Sequence, residues 1–152
     1  MIQRIQSVWL LLAAITLACL LFIPIISATA GGIDYHFITS GIYQQVGTEI
    51  KQIENTLPLF IGTIVLSLIC FANIFNFRNR TSQKRTAYLT VVLILALAGW
   101  GYTYAANMTG GLTDVSYGAG IGLPVLAIVF CLLAVRGINN DEKLLKSADR
   151  LR

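Results

Sequence analysis

Four stretches free of Asp, Glu, Lys and Arg, at residues 8–26, 57–77, 87–106 and 117–135, restrict the fold of this chain more than any other feature. Counted inclusively, they hold 19, 21, 20 and 19 residues. At about 1.5 Å of rise per residue, each would make a helix of roughly 28–32 Å, close to the ~30 Å hydrocarbon core of a bilayer. A backbone in lipid must satisfy its own hydrogen bonds, so a lone span is a helix. A buried helix of a water-soluble protein would explain one such stretch, but not four in 152 residues. Composition agrees: 12% of the residues are charged and the mean hydropathy is +0.73, whereas soluble domains carry roughly 25% charged residues. The expected fold is all-α and integral to the membrane. It is a single domain over residues 1–152, a four-transmembrane-helix bundle with a short extracytoplasmic cap loop and an amphipathic surface helix in a cytoplasmic tail, 136–152.

Arg4, an apolar run and then Ala28-Thr29-Ala30 also fit the outline of a secretory signal peptide. The run exceeds the roughly 7–15 apolar residues of such a segment, which favours a retained span. Orientation follows from the basic residues. Arg4 precedes the first stretch, Arg78, Arg80, Lys84 and Arg85 separate the second from the third, and Arg136, Lys143, Lys146, Arg150 and Arg152 follow the fourth. Only Lys51 lies on the other side. Basic residues in short loops stay cytoplasmic, so both termini and the middle connection are expected there. Once Asp141, Glu142 and Asp149 are set against the inner bases, and Asp34, Glu49, Glu54 and Asp114 against Lys51, the sides carry +7 and −3. The net +4 therefore points to anionic headgroups on the inner face and not to nucleic acid. Trp9 and Tyr88 fall at the inner interface, and Trp100, Tyr102, Tyr104 and Tyr117 at the outer one, where amphipathic rings prefer to sit.

Residues 27–56 form the one long outer connection. Ile33, Tyr35 and Phe37 alternate with Asp34 and His36, as in a half-buried strand. After Ser40-Gly41 the apolar period lengthens: Val46, Ile50, Ile53 and Leu57 suggest an amphipathic helix leading into the second span, which Pro58 would suit in its first turn. This connection is read as a cap, with a docking surface as the alternative. Residues 107–116, with Gly110-Gly111, read as a plain turn. Arg78, Arg80, Lys84 and Arg85 read as a tight basic hairpin that fixes topology or meets acidic lipids, each contributing about 1 kcal/mol near an anionic surface. In the tail, Gly137 is expected to break the fourth helix, and Asn139-x-x-Glu142 to cap a new one. Lys143, Lys146, Arg150 and Arg152 would direct that short helix to headgroups or to a partner.

Chemistry in a membrane needs ionisable groups at depth, and the four stretches have none of Asp, Glu, Lys or Arg. His36 is the only histidine, so bis-histidine haem ligation and multi-histidine metal sites within one chain are excluded. Cys19, Cys70 and Cys131 are separate in sequence, without the C-x-x-C spacing of redox pairs, and read as packing residues. No G-x-S-x-G is present. No enzyme activity and no cofactor are expected. Small residues abound instead: Ala14 and Ala18 in the first stretch, Gly99, Gly101, Ala105 and Ala106 in the third, and Gly118 and Gly122 as a G-x-x-x-G in the fourth. Small residues let helices approach closely in lipid, and packing within the bundle is favoured over a dimer seam. Asn73 and Asn76 share a face near the inner end of the second stretch, and headgroup contact is the simpler expectation for them.

The opening Met1-Ile2-Gln3-Arg4-Ile5-Gln6-Ser7-Val8-Trp9-Leu10-Leu11-Leu12-Ala13-Ala14-Ile15 and the closing Asp141-Glu142-Lys143-Leu144-Leu145-Lys146-Ser147-Ala148-Asp149-Arg150-Leu151-Arg152 resemble the domain of unknown function 4293 family. The resemblance implies a four-span protein of the bacterial inner membrane and no established catalytic residues. The functional expectation is a non-enzymatic accessory or scaffold subunit of a larger membrane complex, with other membrane proteins as partners and a homo-oligomer left open. The alternative is a small transporter or lipid-handling protein with a polar crevice near Asn73 and Thr90.

Overall fold

The computed structural model describes residues 3–30, 33–47, 49–109 and 114–149. Four helices run through it: α1 (Gln3–Cys19), α2 (Leu57–Ile74), α3 (Arg80–Thr109) and α4 (Leu123–Asp149). The stretches Leu57–Phe77, Arg80–Asn107 and Ala119–Asp141 are long and apolar enough to cross a membrane, by length and composition. α1 is shorter, with 17 residues or about 26 Å. Its apolar run leaves the helix after Cys19, where Leu21 and Phe22 donate tighter i→i−3 bonds to Ala18 and Cys19, and Pro24 ends further winding.

The expected all-α architecture is overturned between the helices. Both connections at one end of the bundle become strands: β1 (Ile26–Ala30), β2 (Ile33–Ile38), β3 (Gly41–Val46) and β4 (Glu49–Asn55) follow α1, and β5 (Asp114–Tyr117) follows α3. They form one antiparallel sheet in the order β4-β3-β2-β1-β5. The alternation at residues 33–37 is indeed a strand, β2. The amphipathic helix expected around Val46–Leu57 is instead the hairpin partner β4. Gly47, at φ +62°, provides the left-handed turn between β3 and β4 that other residues rarely adopt. A register shift pairs Ile42 with Glu54 but Tyr43 with Gln52, leaving Ile53 as an extra residue. That bulge resets the two-residue alternation, so the three-residue gap from Ile50 to Ile53 is accommodated without a helix.

Sheet register sorts polar from apolar. Ile26, Ala28, Phe37 and Ile42 fall on one face, where all four are buried, and the cluster of Ile26, Phe37 and Ile42 continues into Leu59 of α2 and Ala105 of α3. Ser27, Thr29, Asp34, His36 and Ser116 fall on the other face. There Ser27 Oγ and His36 Nδ1 lie 3.0 Å apart and Thr29 donates to Asp34 at 2.8 Å. One apolar and one polar face is the usual division in an antiparallel sheet that roofs a core.

The helices pack through small residues. Ala13, Ala14 and Leu17 of α1 meet Leu66 and Cys70 of α2, Ile94 of α3, and Ala127 and Cys131 of α4. Trp9 stacks on Phe130 with ring centroids 5.9 Å apart, and Ser67 donates to the Ala14 carbonyl at 3.0 Å. Cys70 and Cys131, distant in sequence, are both buried in this one core cluster. The separate tail helix is also overturned, because α4 continues unbroken past Gly137 to Asp149. Gly137 serves packing: a Cβ there would lie 3.0 Å from Gln6 Cγ, so the missing side chain lets α1 close on α4. Outward from this core, Ile61, Val65, Leu68, Val92, Leu95 and Val129 are exposed, an apolar belt that suits lipid and not water.

Candidate functional site: an apolar cavity beneath the sheet

A cavity of about 360 Å³ lies where the sheet meets the helix ends, within the size range of small-molecule sites. Leu20, Ile26, Thr39 and Leu59 form its buried floor, while Ala98, Gly101 and Ala105 of α3 leave the space open. Tyr102, Tyr117, Ile121 and Val125 stand at its exposed rim. The floor is held by local hydrogen bonds. Thr39 donates its hydroxyl to the Leu20 carbonyl at 3.3 Å, and Thr56 donates to the Thr39 carbonyl at 2.8 Å. Thr39 therefore presents no free proton to a ligand. Thr56 also starts α2, where its carbonyl accepts from Leu59 and Phe60 and Pro58 sits in the first turn.

Glycines close the rim. A Cβ on Gly118 would lie 2.3 Å from the Pro24 carbonyl oxygen, and one on Gly120 2.7 Å from it. Their bare backbones let Gly118 donate to Ile25 at 3.0 Å and Gly120 to Pro24 at 3.2 Å. The G-x-x-x-G of residues 118–122 thus joins the 3-10 turn before α4 to the α1–β1 connection, and Gly122 faces open space. Of the other small residues singled out, Ala14 is buried against α2 and α4, and Ala18 is half-buried.

The opposite end of the bundle is polar, and here the sequence reading missed two residues. Gln6 donates to the Asp141 carboxylate across the α1–α4 contact, and both side chains are buried at 5% exposure. The other carboxylate oxygen, Asp141 Oδ1, is buried without a hydrogen-bond partner. Asn73 and Gln83 exchange bonds with each other's backbone carbonyls at 3.1 Å, and Asn76 donates to Ser82 at 3.1 Å, so the asparagines tie α2 to α3 and do not simply meet headgroups. Asn79 caps α3 by accepting from the Ser82 amide at 3.1 Å. Thr90 is buried and donates to Thr86 at 2.8 Å, whereas Asn73 Oδ1 is buried without a hydrogen-bond partner.

The described basic residues differ in their surroundings. Lys84 reaches Asn139 of α4 at 3.1 Å, Arg80 has a buried guanidinium nitrogen, and Arg85 and Lys143 are exposed. Arg80, Lys84 and Arg85 lie in the first turns of α3 and not in a loop. The side chains of Arg78 and Lys146, and the whole of Arg150 and Arg152, lie outside the described residues. Among the described residues no group of three His, Cys, Asp or Glu could hold a metal ion.

A bundle with an apolar belt, roofed at one end by a sheet and hollow beneath it, belongs among helical proteins suited to a membrane. The chain belongs to the family described as Domain of unknown function (DUF4293), which it matches over residues 2–151. No curated protein matches it. The two segments that carried the resemblance meet in space, since Gln6 and Asp141 are the bonded pair at the polar end.

Proposed function

We propose that this chain is a non-enzymatic, multi-pass protein of the bacterial inner membrane that binds a lipid in the cavity beneath an extracytoplasmic sheet. The cavity carries this reading: it is apolar, of ligand size, and opens sideways onto the exposed apolar surfaces of α3 and α4. The side is argued from charge. Arg4, Arg78, Arg80, Lys84, Arg85, Arg136, Lys143 and Lys146 sit on helical segments at the end opposite the sheet, which basic retention would hold in the cytoplasm. In this reading α1 makes the fourth pass, and the sheet covers its short outer end. Purification in mild detergent followed by lipid extraction tests the proposal. About one lipid per chain that resists detergent exchange is expected, and a lipid-free protein at full stability refutes it.

A second reading, an accessory subunit of a larger complex, is favoured by β4. Every residue of this edge strand is exposed, including Ile50 and Ile53, which leaves its outer backbone groups available for strand addition. Mass spectrometry of the material purified from native membranes distinguishes the two. A stoichiometric protein partner supports the second.

A further inference from the structure

The shape and chemistry of the cavity narrow its ligand, on the reading that it holds a lipid at all. We infer that it takes a single acyl tail of an outer-leaflet phospholipid, admitted sideways past Tyr102 and Val125, while the headgroup stays outside. Four observations carry this. First, the floor residues Leu20, Ile26 and Leu59 are apolar, and the hydroxyl of Thr39 is already bonded to the Leu20 carbonyl, so a headgroup would lose its water and gain no partner. Second, the rim residues Ile121, Val125 and Tyr102 are 50%, 61% and 73% exposed and continue the apolar outer surfaces of α3 and α4. What touches the opening in a bilayer is therefore hydrocarbon. Third, a volume of about 360 Å³ holds about a dozen groups of roughly 30 Å³, the share of one water in the liquid. That is the scale of one tail segment and too small for two tails. Fourth, Tyr102 and Tyr117 are both exposed at the rim, which suits phenol groups at the level where a tail meets its headgroup.

Glycine makes a selective test available. A Cβ on Gly101 would meet the Leu59 methyls at 3.7 and 3.8 Å, which is ordinary contact, so a larger residue there grows into the cavity without striking backbone. Gly99, two residues away on α3, has nothing within 4 Å and is exposed. Gly101→Leu therefore fills the cavity, and Gly99→Leu makes the same chemical change outside it. The intact protein is placed in nanodiscs of phosphatidylethanolamine and phosphatidylglycerol, doped with one of three probes. These are phosphatidylethanolamine with a diazirine near the end of one tail, the same lipid with the diazirine on its headgroup, and a diazirine-bearing polyprenyl phosphate. The tail probe is expected to crosslink to Leu20 or Leu59 in the native chain and in Gly99→Leu, with at least a tenfold loss in Gly101→Leu. The headgroup probe is expected to spare both floor residues. Gly101→Ala, a smaller change, should give an intermediate loss if the leucine variant does not fold. Equal tail labelling in Gly101→Leu or Gly101→Ala and in the native chain overturns the inference, as does labelling of the floor by the headgroup probe or preferentially by the polyprenyl probe. If lipid co-purifies but the tail probe misses the floor, only this inference fails. If no lipid is retained, the function proposed above fails with it.

Discussion

Replacing Gln6 by leucine leaves the Asp141 carboxylate buried at 5% exposure with neither oxygen bonded, because Oδ1 already lacks a partner and Oδ2 loses its donor. A hydrogen bond to a charged group contributes about 1.5–3 kcal/mol net, and an abandoned buried charge exacts at least that. Gln6→Leu should therefore destabilise the chain by about 2–3 kcal/mol. At roughly 2–4 °C per kcal/mol for a chain of this size, the melting temperature should fall by about 4–12 °C. Asp141→Leu should cost less, since it removes the charge that needs solvating and leaves only a neutral amide unpaired. The decisive case is Gln6→Leu with Asp141→Leu. Replacing both members of a buried polar pair by apolar groups of similar shape is close to neutral, so the double variant should be more stable than Gln6→Leu alone, with a coupling of about 1.5–3 kcal/mol. Thermal unfolding of all four proteins in one detergent, followed by circular dichroism and by aggregation onset, supplies the cycle. Additive losses in the double variant, or a Gln6→Leu protein as stable as the native one, would refute the reasoning and reduce the pair to a surface contact.

Three further outcomes follow from named contacts. Gly118→Ala sets a Cβ 2.3 Å from the Pro24 oxygen, a backbone atom that has to move; a loss of about 1–3 kcal/mol is expected, measured by the same melts. Gly47→Ala meets no neighbour but must hold φ +62°, so a smaller loss of about 1–2 kcal/mol is expected, and it should spare lipid retention. A water-soluble maleimide should label half-buried Cys19 first and reach Cys70 and Cys131 only after denaturation, as these lie in the core; simultaneous labelling of all three, read by intact mass, would contradict the packing.

Three of the helices could be read from the sequence because apolar runs of lipid length mark them even where their side chains are exposed, and α2 begins at Leu57 as Pro58 suggested. The sheet could be read only in part. β2 announces itself because one face of Ile33–Ile38 is packed and the other is polar. β4 does not: all seven of its residues are exposed, so no core imposes alternation on it, and the bulge at Ile53 disturbs what remains. β5 is four residues long, too short to show a period, and it forms because β1 offers it an edge. The cavity was foreshadowed only by small residues, Gly101 and Ala105 among them, which look the same in sequence whether they bring helices together or keep a space open.

The tail shows why a local signal can mislead when a distant partner decides. Glycine in a helix interior costs about 1 kcal/mol relative to alanine, and with a capping pattern just beyond, a break at Gly137 is the economical local reading. The helix persists because the gap that glycine leaves is occupied from 131 positions earlier in the chain by Gln6, whose amide then reaches Asp141 one turn further along α4. Glycine, glutamine and aspartate make one joint, and none of the three is informative alone. The same joint explains why an acid escaped notice as a buried group: with α4 ended at Gly137, Asp141 belonged to a solvated tail. With α4 continuous, a carboxylate lies buried at the end of a helix bundle, held by the opening residues of the chain. Among the described residues this is the one buried carboxylate, and the bond that holds it joins the start of α1 to the later turns of α4.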